Sequence, residues 1–176
     1  AARKLIRVHH TLETRRNLLA SAFKGMRGHT CQIVSPPYGA NDATGAARAL
    51  APYLKERANV HVVTGKTTRR RPRFSKAALD VLGEKHRQVK VWGVAEDGPD
   101  GRFLHAKLVA VENTKQVRVL VGSANFTESG LLGANRELCV HLDLKRDDFH
   151  DWDRELNWTH SEPAADAQEI AQDMPR

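Results

Sequence analysis

The chain has 176 residues, 40% of them hydrophobic, and its 28 Lys and Arg against 21 Asp and Glu give a net charge of +7 and a pI near 9.7. That is one domain of ordinary size, long enough to bury a real core, and the basic balance favours a polyanionic partner such as nucleic acid. No apolar run approaches the roughly 20 residues of a membrane-spanning helix, so no membrane role is expected.

The chain opens AARKLIRVHH, with no initiator Met and no apolar leader core, and reads as a fragment or processed form of a larger protein. Cys31 and Cys139 lie in separate apolar runs and make no C-x-x-C pair. Buried reduced thiols are therefore expected rather than a disulfide or a metal site, and with them a cytoplasmic setting.

Taken in order, HHTLETRRNLLASAF places Leu12, Leu18, Leu19, Ala22 and Phe23 at helical spacing and predicts an opening helix. HTCQIVSPP reads as a short strand ended by a Pro pair, with a polar loop behind it. TGAARALAPYLKER predicts a helix in which Pro52 marks a kink or the true start. NVHVVT is β-branched and strand-like, so this alternation implies a βαβ unit with a parallel pair. GKTTRRRPRF is a basic loop, SKAALDVLGEKH a helix capped by Ser75, and QVKVWGV a strand. EDGPDG is a turn. RFLHAKLVAVE and QVRVLVG form two strands of a hairpin joined at NTK. SANFTESGLLGANR is a loop, ELCVHLDL a last strand, and DDFHDWDRELNW a helix whose Phe149, Trp152, Leu156 and Trp158 stripe packs on the sheet. Residues 1–160 are expected as the catalytic domain and 161–176 as a tail or linker.

Within RFLHAKLVAVE, His105 and Lys107 would share one strand face, since side chains repeat every two residues. Burying such groups unpaired costs several kcal/mol, roughly 2–7 for a polar group and more for a charge. Ser123 and Asn125 have the same spacing just past the next strand. Pairing through NTK brings all four together at one end of the sheet. An imidazole beside an ammonium repels unless an anion sits between them, so the group suits a phosphate. An isolated H-x-K would more simply be a satisfied sheet histidine with an edge lysine.

The pair is not isolated. His105-Ala-Lys107, four residues, Glu112, and then Gly122-Ser123-Ala-Asn125 resembles the HKD signature of the phospholipase D superfamily, H-x-K-x4-D with a downstream G-S-x-N. Asn135 and Glu137 match its N-x-E, and CQIVSPPYG is similar to its first strand and loop, so the resemblance spans about residues 28–160. It implies a phospholipase D-like α/β fold, a mixed sheet flanked by helices on both faces. It also implies a metal-independent phosphodiesterase working through a phosphohistidine, with no cofactor and no metal. His105 would be the nucleophile or the general acid, Lys107, Ser123 and Asn125 the phosphate ligands, and Glu137 the carboxylate orienting His105. Glu112 departs from the family's Asp. By strand parity it faces away from the imidazole and serves as a structural group tying down a neighbouring segment.

The family uses two histidines and this chain has a single H-x-K. A symmetric homodimer supplies the second His105, as single-motif bacterial endonucleases of the superfamily do; the other resolution is a missing second half. Arg69, Arg70, Arg71 and Arg73 form a run that reads either as a solvated loop or as a phosphate-tracking arm. With the net charge, it favours nucleic acid over lipid head groups, and DNA over RNA. TGKTT lacks the first Gly of a P-loop, Val60 standing there, and Pro99-Asp100 with Glu112 lacks the Lys of a metal-dependent nuclease.

Overall fold

The computed structural model describes residues 6–10, 17–36, 43–66, 74–95, 104–156 and 163–164. Eight strands form one mixed sheet in the order β1-β7-β6-β5-β2-β3-β4-β8. They are β1 (Ile6–His10), β2 (Gly28–Val34), β3 (Leu54–Lys66), β4 (Gln88–Ala95), β5 (Leu108–Glu112), β6 (Val117–Gly122), β7 (Leu138–Leu144) and β8 (Pro163–Ala164). β2, β3 and β4 are parallel, while β1, β5, β6, β7 and β8 pair antiparallel. The helices are α1 (Leu18–Phe23), α2 (Ala43–Leu50), α3 (Lys76–Gly83), α4 (Glu128–Leu131) and α5 (Arg146–Leu156). The α/β class, the mixed sheet and helices on both faces follow the sequence expectation.

The two faces have separate cores. Leu18, Leu19 and Phe23 of α1, Ala46, Ala47 and Leu50 of α2, and Leu79 and Leu82 of α3 pack on Ile33, Val60, Val62, Val91 and Leu120. On the other face Phe149 of α5 meets Val34, Val63, Leu108, Ala110, Val117 and Val119. Alternation along β2, β3 and β6 thus feeds two cores from single strands.

Three expectations on local structure are corrected. The opening helix begins at Leu18, where the Asn17 side chain accepts from Ala20 N at 2.9 Å; His9 and His10 belong to the edge strand β1, paired with β7. The second helix stops at Leu50: Pro52 lies in a 3-10 turn, and Leu54 to Arg57 extend β3 instead of the helix. Proline cannot donate to the preceding turn and clashes with it, so it closes the helix rather than bending it. The long strand at 102–112 is shorter than its pattern, for the ladder starts at Leu108. Partners run out there, because β2 ends at Val34 opposite Leu108, and past Gly122 only one 3.5 Å bond, from Gly122 N to Lys107 O, remains. His105 and Lys107 therefore precede the strand instead of lying inside it. The basic loop at 67–73 and the turn at 96–101 lie outside the described residues, as do Trp158 and most of the tail.

The other boundaries agree within a residue or two, except that the loop expected over SANFTESGLLGANR contains α4, and β8, in the expected tail, follows the strand read as the last. Ser75 caps α3 by accepting from Ala78 N at 3.3 Å. Asn113 Oδ1 closes the β5–β6 turn on Lys115 N and Gln116 N at 2.8 and 3.0 Å. Phe149 is buried under α5 as its stripe predicts, whereas Trp152 is 37% exposed at the helix flank. Among the described residues no helix is long and apolar enough to cross a membrane.

Cys31 and Cys139 are free and buried, and burial pushes both thiols' pKa upward. Neither should react with an aromatic disulfide reagent in the native protein, and both should do so in denaturant; a fast native thiol would contradict their burial.

Candidate active site

The candidate residues come from three neighbouring strand ends. Leu108 faces Val121 across β5–β6, and Gly122 faces Cys139 across β6–β7, so Lys107, Ser123 and Leu138 leave the sheet side by side. Val34 of β2 also ends opposite Leu108. The cluster thus lies at the carboxyl end of the parallel strand β2, where open α/β sheets place their sites.

His105 and Ser123 are exposed, whereas Lys107, Asn125 and Glu137 are half-buried. Lys107 Nζ lies 3.2 Å from each ring nitrogen of His105 and donates to the His105 carbonyl at 2.8 Å. Partial burial lowers the lysine's pKa, and the nearby Glu137 carboxylate pulls it back up. The amine is thus held against an imidazole, with the Glu137 carboxylate nearby as counter-charge. Ser123 Oγ donates to Glu137 Oε2 in a short bond and accepts from Leu138 N at 3.0 Å. Asn135 Nδ2 reaches Glu137 Oε1 at 3.4 Å. Asn125 Oδ1 is buried without a hydrogen-bond partner.

The loop carrying Ser123 and Asn125 is fixed from below. Phe126 N donates to the buried Ser35 Oγ at 3.2 Å, and Thr127 caps α4 through Gly130 N at 3.1 Å. The Ser123 amide donates to Leu138 O at 3.1 Å. Ser35 is the supporting residue that the sequence reading missed; only its position just before the Pro pair ending β2 could have drawn attention to it.

Gly122 makes this arrangement possible. A Cβ there would sit 2.3 Å from Leu138 O, 2.6 Å from Cys139 Cα and 2.7 Å from Cys139 Sγ. Gly122→Ala must push β6 and β7 apart beneath Ser123. We expect a loss of about 1–3 kcal/mol or more on thermal unfolding, together with lower activity. Gly83→Ala is the control, since its nearest neighbour is Val89 Cγ2 at 3.9 Å. A melting point for Gly122→Ala equal to that of the control would refute the close-approach argument.

Glu112 takes no part in this cluster. It lies at the far end of β5, 5% exposed, and accepts from Arg146 Nε at 2.5 Å, with His150 Nε2 at 3.3 Å and His29 Nε2 at 3.8 Å. It fastens α5 to the sheet. Beside it a cavity of about 240 Å³ runs under α5, lined by Gln32, His61, Trp92, Phe149 and Asp153 among others. Gln32 Nε2 donates to Asp153 at 2.8 Å, and Trp92 Nε1 donates to His61 Nδ1 at 3.2 Å. Burial and the Lys90 charge push the pKa of His61 down, against the opposing pull of Asp153, in keeping with an imidazole that accepts. Arg69, Arg70, Arg71 and Arg73 fall outside the described residues.

The family model for the PLD-like domain of cardiolipin synthase matches residues 19–159, most of the chain. The chain belongs to the PLD-like phosphodiesterase superfamily. Among solved structures, the phospholipase D family member Nuc from Salmonella typhimurium is 21% identical with a TM-score of 0.56, covering 91% of this chain and 97% of its own. NucT from Helicobacter pylori is 14% identical at a TM-score of 0.57, with coverages of 92% and 99%. The phosphatidylserine synthase of Haemophilus influenzae is 13% identical at a TM-score of 0.57, and this PLD-like chain, 96% covered, spans 42% of it. A comparison with curated protein sequences gave no match. At these identities the structural neighbours establish the PLD-like fold and nothing finer.

Proposed function

We propose that this PLD-like chain is a metal-independent nuclease that cleaves DNA through a phosphohistidine, with its active site completed by a second copy of itself. The observation that carries the reading is the Lys107 ammonium held 3.2 Å from both ring nitrogens of His105 at an exposed sheet end. A cation set against a nucleophile, with Glu137 the one nearby carboxylate among the described residues, fits an anionic substrate oxygen entering between them.

In the proposed reaction one His105 attacks phosphorus while the partner's His105 gives a proton to the leaving oxygen. The P–O bond breaks as the P–N bond forms. The partner's His105 then takes a proton from water, whose oxygen attacks phosphorus and releases the first imidazole. Lys107 balances charge on the non-bridging oxygens. Ser123 and the side-chain N–H of Asn125 complete the cradle, and Glu137 holds the cluster in register. Lys107 and Asn125, present twice in the dimer, supply what a metal supplies elsewhere, so no cofactor is invoked.

DNA is favoured over lipid by the +7 charge and by the arginine run. Residues 67–73 join Lys66, at the end of β3, to Phe74, whose ring packs 6.1 Å from that of Phe126, next to Asn125. Phe74 thus lies beside the proposed site, which supports a role for Arg69, Arg70, Arg71 and Arg73 in tracking phosphates. The lipid reading has its own support in the family description, which is that of a cardiolipin synthase. Parallel assays on plasmid DNA, RNA and phosphatidylcholine or phosphatidylglycerol vesicles separate the two: turnover of lipid with intact DNA would overturn the nuclease.

A further inference from the structure

The cavity under α5 holds a second set of polar side chains, separate from the His105 cluster. Gln32 and His61 face each other across β2–β3, and Val63 faces Trp92 across β3–β4, so these four floor it. Phe149 and Asp153, one turn apart on α5, roof it. Its volume of about 240 Å³ suits one bicyclic heterocycle, since a cavity of about 150 Å³ already takes a benzene ring. The polar atoms inside are fixed by their own bonds. Asp153 Oδ1 accepts from Gln32 Nε2 at 2.8 Å, and among the described residues no donor reaches Oδ2. His61, kept neutral by burial and the Lys90 charge, accepts from Trp92 Nε1 through Nδ1 at 3.2 Å. Its proton therefore sits on Nε2, which donates. His61 also borders a second hollow of about 270 Å³, whose other walls are Asn59, Gln88 and the exposed Lys90.

We propose that these adjoining hollows form a guanine-nucleotide site, with the base under α5 and the phosphate beside Lys90. A carboxylate oxygen and an imidazole N–H between aromatic walls fit a flat ring that donates along one edge and accepts along another. Guanine does both: its N1–H and N2–H groups suit Asp153, and its O6 and N7 accept from His61. Adenine turns a ring acceptor towards the carboxylate where guanine has N1–H, and a single pyrimidine ring fills less of the cavity. Asp153 and Glu112 repel a phosphate from the base hollow, whereas the ammonium of Lys90, with the Asn59 and Gln88 amides, receives one. Gln32 lies two residues inside the end of β2, roughly 7 Å of strand away from the proposed active site. The inference does not depend on the nuclease reading.

Calorimetric titration of the His105→Ala chain, which leaves any nucleic acid intact on the proposed mechanism, tests the site. Guanosine 5′-monophosphate should bind at least about tenfold more tightly than adenosine 5′-monophosphate, and Asp153→Asn, which keeps an oxygen for Gln32, should erase that preference. Lys90→Ala should weaken the guanosine monophosphate about tenfold and leave guanosine unchanged. Ala110→Met should fill the cavity floor, keep the melting curve and abolish binding of both. Oligothymidylate with and without one guanine distinguishes the source. A guanine-dependent affinity above that of the monophosphate identifies a base within a strand, and its absence a free nucleotide. No binding of the guanosine monophosphate at millimolar concentration, or undiminished binding by Ala110→Met, would overturn the site. Equal affinity for the two monophosphates would overturn guanine as its ligand. Wild-type binding by a chain that proves not to cut DNA would leave the site standing and sink only the nuclease.

Discussion

Plasmid DNA should be nicked and linearised by this protein in excess EDTA, and His105→Ala should abolish the reaction. Removing the attacking nitrogen leaves only binding and electrostatic assistance, so a fall of about 10⁴-fold or more is expected, as when a nucleophile is deleted from a hydrolase. On the proposed shared site the same substitution also removes the proton donor from the other half, so no intact active centre would remain. Lys107 alone would not rescue the rate: its amine lies against the imidazole and has no second nucleophile to serve. Mixing His105→Ala with Lys107→Ala chains before assay should leave activity near zero, because every mixed site still lacks one histidine. Cutting that fails in EDTA but persists in His105→Ala would sink the mechanism. A radiolabelled phosphoryl group trapped on His105 by acid-free quenching would confirm the covalent step directly.

Glu112→Ala should cost stability, and chemistry should follow only where the fold is lost. The carboxylate is buried and bound to Arg146, with His150 and His29 close by. Its removal deletes a charge-assisted hydrogen bond and leaves a void between β5 and α5. Arg146 is 45% exposed and regains water, so the loss stays near 2–3 kcal/mol rather than that of a fully buried pair. For a chain of this size that lowers the melting temperature by about 5–10 °C. Activity below the transition should remain within a few-fold of wild type. A rate loss like that of His105→Ala in the folded variant would place Glu112 in the chemistry after all. Glu112→Asp should lie between the two, since a shorter arm still reaches one of its partners.

The architecture was largely legible in the sequence, and so was the clustering of the proposed site residues, because the relevant signals are local. β-branched runs, Ser75 as a helix cap and the NTK turn each fix their own element. His105, Lys107, Ser123 and Asn125 are close in the chain and joined by one short hairpin. What escaped was set by pairing partners far away. The edge strand β1 exists because β7 offers it a ladder, and no periodicity within IRVHH announces that. The strand through His105 looked longer than it is because only the ends of β2 and β6 decide where its hydrogen bonds stop. Pro52 signalled a boundary but not its direction. The parity argument for Glu112 started from an overlong strand, so it stands on weaker ground than the contacts that now fix the residue to α5.

The strand order has one further consequence, for how the molecule assembles itself. β5, β6 and β7 follow one another as an antiparallel meander, and His105, Lys107, Ser123, Asn125 and Glu137 all belong to it or its flanking turns. Such neighbours close small loops and can form early, whereas β2 must find β5 across about 70 intervening residues at a much larger entropic cost. The proposed site residues thus belong to a part of the chain with low contact order, and the parallel half is expected to be the slow step. Mutations at the β2–β5 seam should therefore slow folding far more than changes within the meander.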